Sequence, residues 1–230
     1  MKNINLKTIA IIVLLSLFVR AAHAQYKSVV LGVKVAPNLG WMKTDQEGYE
    51  SEGSVAGINW GLVAEFYFAE NYAFGTGFTF NFQNGKLAYP DEQGQDVGML
   101  SRSYRLKYLE FPATIKMKTN VMGGFRFYGQ IGAGFGIRLS SKGKDVFASP
   151  GNPDLTTDFR LIDSQTTLFK ASMIVGAGIE YPLDNSTSLV AGINFNNGFT
   201  NALKGNNTVN PDLEHHGVPN MLELSFSVMF

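Results

Sequence analysis

Eight segments of the chain alternate between a bulky apolar residue and a small or polar one. Residues 72–83 read Tyr-Ala-Phe-Gly-Thr-Gly-Phe-Thr-Phe-Asn-Phe-Gln, so the aromatic residues share one face. Because side chains along a β-strand point alternately to opposite faces, this period-two pattern predicts two-faced strands. The other segments are residues 31–41, 58–68, 103–118, 125–139, 169–181, 188–196 and 222–230.

The two faces of these strands differ in bulk, and this difference predicts their orientation. An eight-stranded barrel has no exposed edge, and its interior is only just wide enough to be filled by side chains. The many Phe, Tyr, Trp, Ile and Leu residues of the apolar faces would not fit there, whereas the opposite faces are rich in glycine. We therefore expect an all-β fold, an eight-stranded antiparallel up-and-down transmembrane β-barrel with an apolar outside and a glycine-rich, polar lumen. A soluble barrel with its apolar faces inside is the alternative.

The predicted connections alternate in length, which supports the membrane barrel. Those after the second, fourth and sixth strands are short, near residues 69–71, 119–124 and 182–186. Those after the first, third, fifth and seventh strands are long, and the longest runs from about residue 141 to residue 165. Outer-membrane barrels have short periplasmic turns and longer extracellular loops.

Two local features refine this barrel. In the fourth segment the apolar residues occupy even positions up to Tyr108 and odd positions from Leu109 onward, and we interpret this shift as a β-bulge near Tyr108. Aromatic residues at strand ends are expected to form interfacial girdles, with a carbohydrate-binding platform as the alternative. They are Trp41, Trp60, Tyr72, Tyr104, Tyr108 and Tyr181.

The first residues are typical of a secretory signal peptide. Lys2 and Lys7 precede an apolar run over residues 9–19, and Ala22-His23-Ala24 offers a small-x-small cleavage site. A membrane anchor would need about 20 apolar residues. We expect residues 1–24 to be the signal peptide and residues 25–230 to be the barrel domain. Its removal takes three of the 19 basic residues and none of the 19 acidic ones, leaving 16 against 19 and a net charge of −3.

Composition excludes several kinds of function. The chain has no cysteine, which excludes a lipoprotein anchor, a disulfide-linked scaffold and a thiol enzyme. The chain has as many acidic as basic residues, so it lacks the excess of positive charge that is typical of proteins that bind nucleic acid.

Short motifs along the predicted strands resemble those of the PorT-like outer-membrane β-barrel family of Bacteroidota. They are Gly32-Val-Lys-Val-Ala-Pro-Asn-Leu39, Tyr108-Leu-Glu-Phe-Pro112 with Ile115-Lys116, Gly132-Ala-Gly134-Phe-Gly136, Gly176-Ala-Gly-Ile-Glu180 and the final Phe230. The resemblance implies an eight-stranded barrel in a Gram-negative outer membrane. It also implies that Phe230 is the signal by which the barrel-assembly machinery engages the C-terminal strand. Some family members serve the type IX secretion system and gliding, which makes secretion-system proteins candidate partners.

Nine charged residues fall on the predicted lumen face. Because an unpaired charge in a narrow, low-dielectric interior is costly, we expect them to pair and to hold the barrel shut. A narrow gated ion path is the alternative. The nine residues are Lys34, Glu65, Glu110, Lys116, Arg126, Arg138, Lys170, Glu180 and Glu223.

We predict no enzymatic activity and neither metal nor cofactor. His215 and His216 lie beside Asp212 and Glu214, a set that could hold a metal or a general base, but no third ligand at regular spacing is visible. The Gly132-x-Gly134-x-Gly136 motif lies inside a strand and lacks the helix that a phosphate loop needs.

The sequence thus predicts an integral outer-membrane protein with a structural or interaction role through its extracellular loops. The expected partners are outer-membrane lipids, the barrel-assembly machinery and secretion-system proteins, but not nucleic acid. A lipid-modifying outer-membrane enzyme and a narrow gated channel are the alternatives.

Overall fold

Eight long antiparallel strands form most of the part that the computed structural model describes, residues 29–230. They are β1 (Val29–Lys43), β2 (Val55–Ala69), β3 (Tyr72–Gln93), β4 (Asp96–Lys118), β5 (Arg126–Ala148), β6 (Phe169–Pro182), β7 (Ser188–Gly198) and β8 (Val218–Met229). Two-residue strands at Glu50–Ser51, Leu155–Thr156 and Arg160–Leu161 and a short 3-10 helix at Asp163–Gln165 lie in the connections. The predicted signal peptide lies outside the described residues.

Each long strand pairs with the next, and β8 returns to pair with β1. The closing register sets Val35 opposite Phe226 and Gly32 opposite Met229. Phe230 extends this seam, since its N–H donates to Leu31 at 2.8 Å and its carbonyl accepts from Leu31 at 3.1 Å. The predicted eight-stranded, antiparallel up-and-down barrel is therefore confirmed.

The barrel exposes its apolar face and buries its polar one along the lower part of every strand. Phe135 and Ile131 on β5 are 55% and 52% exposed, whereas Glu65 and Asn59 on β2 are 1% and 0% exposed. A soluble protein would reverse this arrangement, but lipid tails solvate an apolar outer surface. Among residues 29–230, no helix is long and apolar enough to span a membrane.

The two ends of the barrel differ as predicted, but two connections are shorter than expected. β2 and β3, β4 and β5, and β6 and β7 are joined by short turns at the end that we assign to the periplasm. At the other end, β3 and β4 continue as one long hairpin closed by Gly94 (φ 71°) and Gln95. The long connection predicted after the third strand is therefore wrong. β5 likewise continues to Ala148, past residue 141, where the sequence predicted a loop.

An apolar cluster at the extracellular end explains why these strands continue. The upper part of β3 leaves β2 after Phe80 and crosses to β1, where Gly85 packs against Met42. Buried side chains from β1, β3, β4, β5 and the β1–β2, β5–β6 and β7–β8 loops then meet above the lumen. They are Met42, Tyr49, Leu87, Tyr89, Leu100, Tyr104, Leu106, Tyr108, Phe147, Ile162, Ala202 and Leu203, and we call them the apolar cap. Burying each large side chain contributes about 1.5–3 kcal/mol.

The apolar cap also corrects the prediction for the fourth segment. Tyr104, Leu106 and Tyr108 point inward at most 2% exposed, and Glu110 continues the same face, so β4 keeps its phase. A register shift does occur between Lys107 and Tyr108, but the extra residue belongs to the neighbouring strand β5, since their partners are Ser140 and Arg138. The sequence pattern changes because the interior itself changes from apolar to polar along β4.

Tyr104 and Tyr108 are therefore core residues, and their predicted place in an interfacial girdle is wrong. Trp60, Tyr72 and Tyr181 do lie on the outer surface, each between 44% and 49% exposed. Trp41 is half-buried and stacks on Phe195.

Candidate functional site: the charged lumen

The strongest concentration of charge lies inside the barrel, near its periplasmic end. Lys116 Nζ lies 2.6 Å from one oxygen of Glu65, and Lys118 Nζ lies 2.8 Å from the other. Lys118 also contacts Glu180, whose second oxygen lies 3.4 Å from Arg126. Two carboxylates and three cations from β2, β4, β5 and β6 thus form one connected group, which we call the Glu65 cluster.

A second group is centred on Glu223 of β8. Its carboxylate lies 2.9 Å from Lys34 Nζ of β1 and accepts hydrogen bonds from Asn59 at 2.8 Å and Asn194 at 3.0 Å. These partners come from β1, β2 and β7, so the Glu223 cluster joins the closing seam to strands on both sides of it.

The third group is centred on Glu110 of β4, which contacts Lys170 of β6 across the lumen. Asn81 and Asn196 donate to its two oxygens at 3.1 and 3.3 Å. Lys170 also donates to Gln83 at 2.9 Å. The Glu110 cluster therefore connects β3, β4, β6 and β7 below the apolar cap.

Glycines on β5, the strand between β4 and β6, provide the space that these long side chains need. A Cβ on Gly134 would lie 3.2 Å from the Glu110 carboxyl carbon, and one on Gly136 would lie 3.3 Å from Lys170 Cε. Gly134 and Gly136 of the Gly132-x-Gly134-x-Gly136 motif thus give the Glu110 cluster room inside the barrel.

One aromatic ring fills the lumen beside the Glu65 cluster. A Cβ on Gly192 would lie only 2.1 Å from the Tyr128 hydroxyl, so the absence of a side chain there leaves room for it. The Tyr128 ring also lies over Gly178. On its other side, Lys116 Nζ lies 4.0 Å from the ring centroid, a cation–π distance.

Arg138 differs from the other eight predicted lumen residues. Its guanidinium donates to Thr166 Oγ1 at 2.6 Å and lies 3.7 Å from Asp163, both in the β5–β6 loop. The structure therefore brings the other eight together in three clusters, whereas Arg138 ties that loop to the barrel.

Sequence reasoning missed the lysine and amides that complete the clusters. Lys118 lies on the same strand face as Lys116, at the end of β4, so its position in the alternation could have identified it. Amides carry no charge, and a search for charged residues overlooked them. They are Asn59, Asn81, Gln83, Asn194 and Asn196.

Another buried ion pair lies higher, beside the apolar cap. Arg102 of β4 binds Asp145 of β5 through two nitrogens, at 2.5 and 2.7 Å, and donates to Gln165 at 2.7 Å. Arg160 also reaches Asp145, at 2.8 Å. This group holds the β5–β6 loop over the barrel mouth.

Little space remains between the side chains in the middle of the lumen. A cavity of about 90 Å³ lies among Lys34, Glu65, Glu110 and Glu223. This volume holds a few water molecules. Above it the apolar cap closes the barrel.

Of the two histidines of the β7–β8 loop, His215 contacts a residue of the β1–β2 loop. His215 turns inward, and its Nδ1 lies 2.8 Å from the Tyr49 hydroxyl. Burial, together with the nearby Arg102 guanidinium, lowers the pKa of His215. Within residues 29–230, no three His, Cys, Asp or Glu residues lie close enough to hold a metal ion.

Residues 23–204 match the family model of the outer membrane protein beta-barrel domain. The chain belongs to this family. The protein is thus an outer-membrane β-barrel, and its predicted location is confirmed.

Solved outer-membrane proteins are similar to this chain at low identity. Neisserial surface protein A is 14% identical over 88% of this chain and 96% of its own, with a TM-score of 0.47. OprG from Pseudomonas aeruginosa is 12% identical over 88% and 96%, with a TM-score of 0.42. Ail of Yersinia pestis is 15% identical over 88% and 97%, with a TM-score of 0.38. A search of curated protein sequences finds no match.

Proposed function

We propose that this protein is a closed, non-enzymatic outer-membrane barrel that acts through its extracellular surface as a structural or interaction protein. The observation that carries this proposal is the double closure of the lumen. The three charged clusters fill the lower interior, and the apolar cap seals the upper end. With the interior filled, the surfaces left for a partner are the loops and the outer wall.

Two features of the loops support this role. The β5–β6 loop is anchored to β4 through Arg102, and the β7–β8 loop is held to the β1–β2 loop by the contact between His215 and Tyr49. The β1–β2 loop is acidic, with Asp45, Glu47, Glu50 and Glu52 against Lys43. An anchored loop keeps its shape, so a partner that binds it pays less of an ordering penalty.

Loop exchange tests this role. A strain lacking the protein is complemented with the wild-type chain or with a chain in which a short glycine-serine turn replaces residues 199–217. Both barrels must show the mobility of a folded barrel on gels without boiling. We expect the wild type to correct the envelope defect of the deletion strain, and we expect the loop variant not to correct it. Full complementation by the loop variant would contradict a role for this loop.

The narrower form of the proposal is an accessory role in surface protein secretion of the type IX kind. It rests on the resemblance of Tyr108-Leu-Glu-Phe-Pro112 and the glycine motifs to the PorT-like family. The secretome of the deletion strain tests it, because an accessory is needed for cargo to reach the surface. Normal export of cargo would contradict this role while leaving other interaction roles intact.

The expected partners follow from the outer surface of the barrel. Lipid contacts the apolar band, and the barrel-assembly machinery engages β8, where Phe230 pairs with Leu31 at the closing seam. Deleting Phe230 should therefore slow barrel assembly in cells more than refolding of purified protein in vesicles. Equal slowing in both would contradict recognition of Phe230 by the machinery.

A lipid-modifying enzyme would use His215 or His216. The orientation of His215 toward Tyr49 favours a role in loop structure instead. We expect the H215Q/H216Q variant to leave the lipid composition of the membrane unchanged by mass spectrometry, and the loss of a modified lipid would reverse this proposal.

A further inference from the structure

The outer wall of β3, β4 and β5 carries five cations above the apolar band. On β4, Leu106 and Tyr104 point into the barrel, so the residues that alternate with them point outward. On β3 the buried Leu87 and on β5 the buried Ser141 likewise point inward, so the residues that alternate with them point outward. The outward cations are Lys86, Arg105, Lys107, Lys142 and Lys144, and we call this surface the basic face.

Strand register brings the five cations close together. Arg105 is the direct partner of Lys142, and Ser103 pairs with Lys86 on one side and Lys144 on the other. Neighbouring strands lie about 4.8 Å apart and each residue rises about 3.3 Å. The basic face therefore measures about 10 by 13 Å at the backbone.

The basic face begins where the lipid-facing surface ends. The outward row directly below Lys107 consists of Phe80, Leu109 and Ile137, which are paired across β3, β4 and β5. Trp60 of β2 pairs with Phe80 in this row and stacks on it at 4.4 Å between centroids. Because tryptophan prefers the membrane–water interface, this row marks the upper edge of the hydrocarbon region. The five cations thus lie at the level of the lipid headgroups of the outer leaflet.

The charges of the basic face are not neutralised by the protein. Of the 15 lysines and arginines in residues 29–230, nine lie within 4.0 Å of a carboxylate. The basic face contains five of the other six, and Lys204 in the β7–β8 loop is the sixth. The Glu52 carboxylate lies at its upper edge, where Ser101 donates to it.

Two aromatic rings hold part of this surface in place. The Arg105 guanidinium lies 3.8 Å from the ring centroid of Phe159, and Lys107 Nζ lies 5.0 Å from that of Phe82. Both contacts leave nitrogen donors free for an anion, because a ring occupies only one side of the cation.

We propose that the basic face binds the phosphate groups of outer-leaflet lipid headgroups. Five like charges within this area repel one another, and phosphates at the same height remove that repulsion and accept charge-assisted hydrogen bonds. The apolar row below contacts the acyl chains of the same lipid. A lipid with two phosphate monoesters fits best, because both can contact cations at once.

The test uses the full barrel in nanodiscs of phosphatidylcholine with a minor fraction of diphosphoryl lipid A, monophosphoryl lipid A or phosphatidylglycerol. Native mass spectrometry after release in detergent counts the lipids that stay bound. The variant K142Q/K144Q removes two charges from the basic face, and K43Q/K204Q removes two exposed charges elsewhere. Each protein is first checked for the gel mobility of a folded barrel.

We expect the wild type and K43Q/K204Q to retain diphosphoryl lipid A, more than monophosphoryl lipid A, and to lose it as salt is raised. The amount of diphosphoryl lipid A retained by K142Q/K144Q should fall about tenfold or more, because each lysine near the headgroups strengthens the attraction to their phosphates. Equal retention by both variants, or equal retention of phosphatidylcholine, would overturn the proposal. Displacement of the lipid by equimolar inorganic phosphate would also overturn it, because it would show a simple anion site.

Discussion

Lys116 of β4 and Glu65 of β2 meet at 2.6 Å across the lumen, although β3 separates their strands in the sheet. Strand pairing alone does not connect them, so this contact ties together parts of the barrel wall that are not neighbours. Lys118 and Tyr67 bind the other oxygen of the same carboxylate, each at 2.8 Å. Removing one member of such a group leaves the others buried without their partner.

The variant E65Q tests how much this group stabilises the barrel. It leaves Lys116 without its only carboxylate within ion-pair distance in the described chain, so we expect the free energy of unfolding to fall by about 3 kcal/mol. Urea unfolding in lipid vesicles measures it. The exposed pair Lys43 and Asp45, 3.7 Å apart, gives the control D45N, which should change stability by less than about 1 kcal/mol. Similar losses in both variants would contradict the account.

Gly192 tests the fit of the Tyr128 ring. A Cβ there would lie 2.1 Å from the Tyr128 hydroxyl, so G192A should destabilise the barrel by about 1–3 kcal/mol. Y128F removes that hydroxyl, and the combined variant should lose less than the sum of the two single changes. G129A is the control, because its Cβ meets nothing closer than 4.0 Å. Additive losses would show that Tyr128 does not fill this space.

The β7–β8 loop should loosen in acid. Burial and Arg102 lower the pKa of His215, whereas Asp91 opposes them, so the folded loop favours neutral imidazole. The stability that neutral His215 gives the folded loop is fully present above the unfolded pKa of about 6.5. It is lost as the pH falls from there through the lower pKa of the folded state. Protection of the amides around Tyr49, measured as the exchange rate relative to the intrinsic rate at the same pH, should therefore fall below about pH 6.5 in the wild type. H215Q should remove this pH dependence, and H216Q, which leaves the Tyr49 hydrogen bond in place, should retain it. A pH response that survives in H215Q would contradict the assignment.

Arg102 should govern the β5–β6 loop without affecting the barrel below it. R102M removes the bidentate contact with Asp145 and the hydrogen bond to Gln165. We expect limited proteolysis within residues 149–168 to become about tenfold faster, because the loop opens more often. The heat-dependent gel mobility of the barrel should stay unchanged. Unchanged cleavage would show that other contacts hold the loop.

The sequence was sufficient for the barrel because strand alternation is a local property. The aromatic faces and the glycine faces predicted both the strands and their orientation, and Glu65, Glu110, Glu180 and Glu223 lie buried in the structure. What the alternation could not provide was pairing across the lumen. The contact of Lys170 with Glu110 depends on the curvature of the closed sheet.

The upper half of the barrel was harder to predict. There the inward residues become apolar, as Leu106 and Leu87 show, and the two faces of a strand no longer differ in polarity. The sequence therefore suggested a phase change in β4 and a loop where β3 and β4 continue. The apolar cap explains both errors, because it is built from strands and loops that are distant in sequence.

The lumen of this barrel is closed, and single-channel recording in planar bilayers tests this closure most directly. Purified, folded wild-type protein should insert without producing discrete current steps, because the three clusters and the apolar cap close the lumen around a cavity of about 90 Å³. Stable, reproducible conductance steps from the wild-type barrel, altered by E110Q, would show an open ion path through the Glu110 cluster and contradict the account.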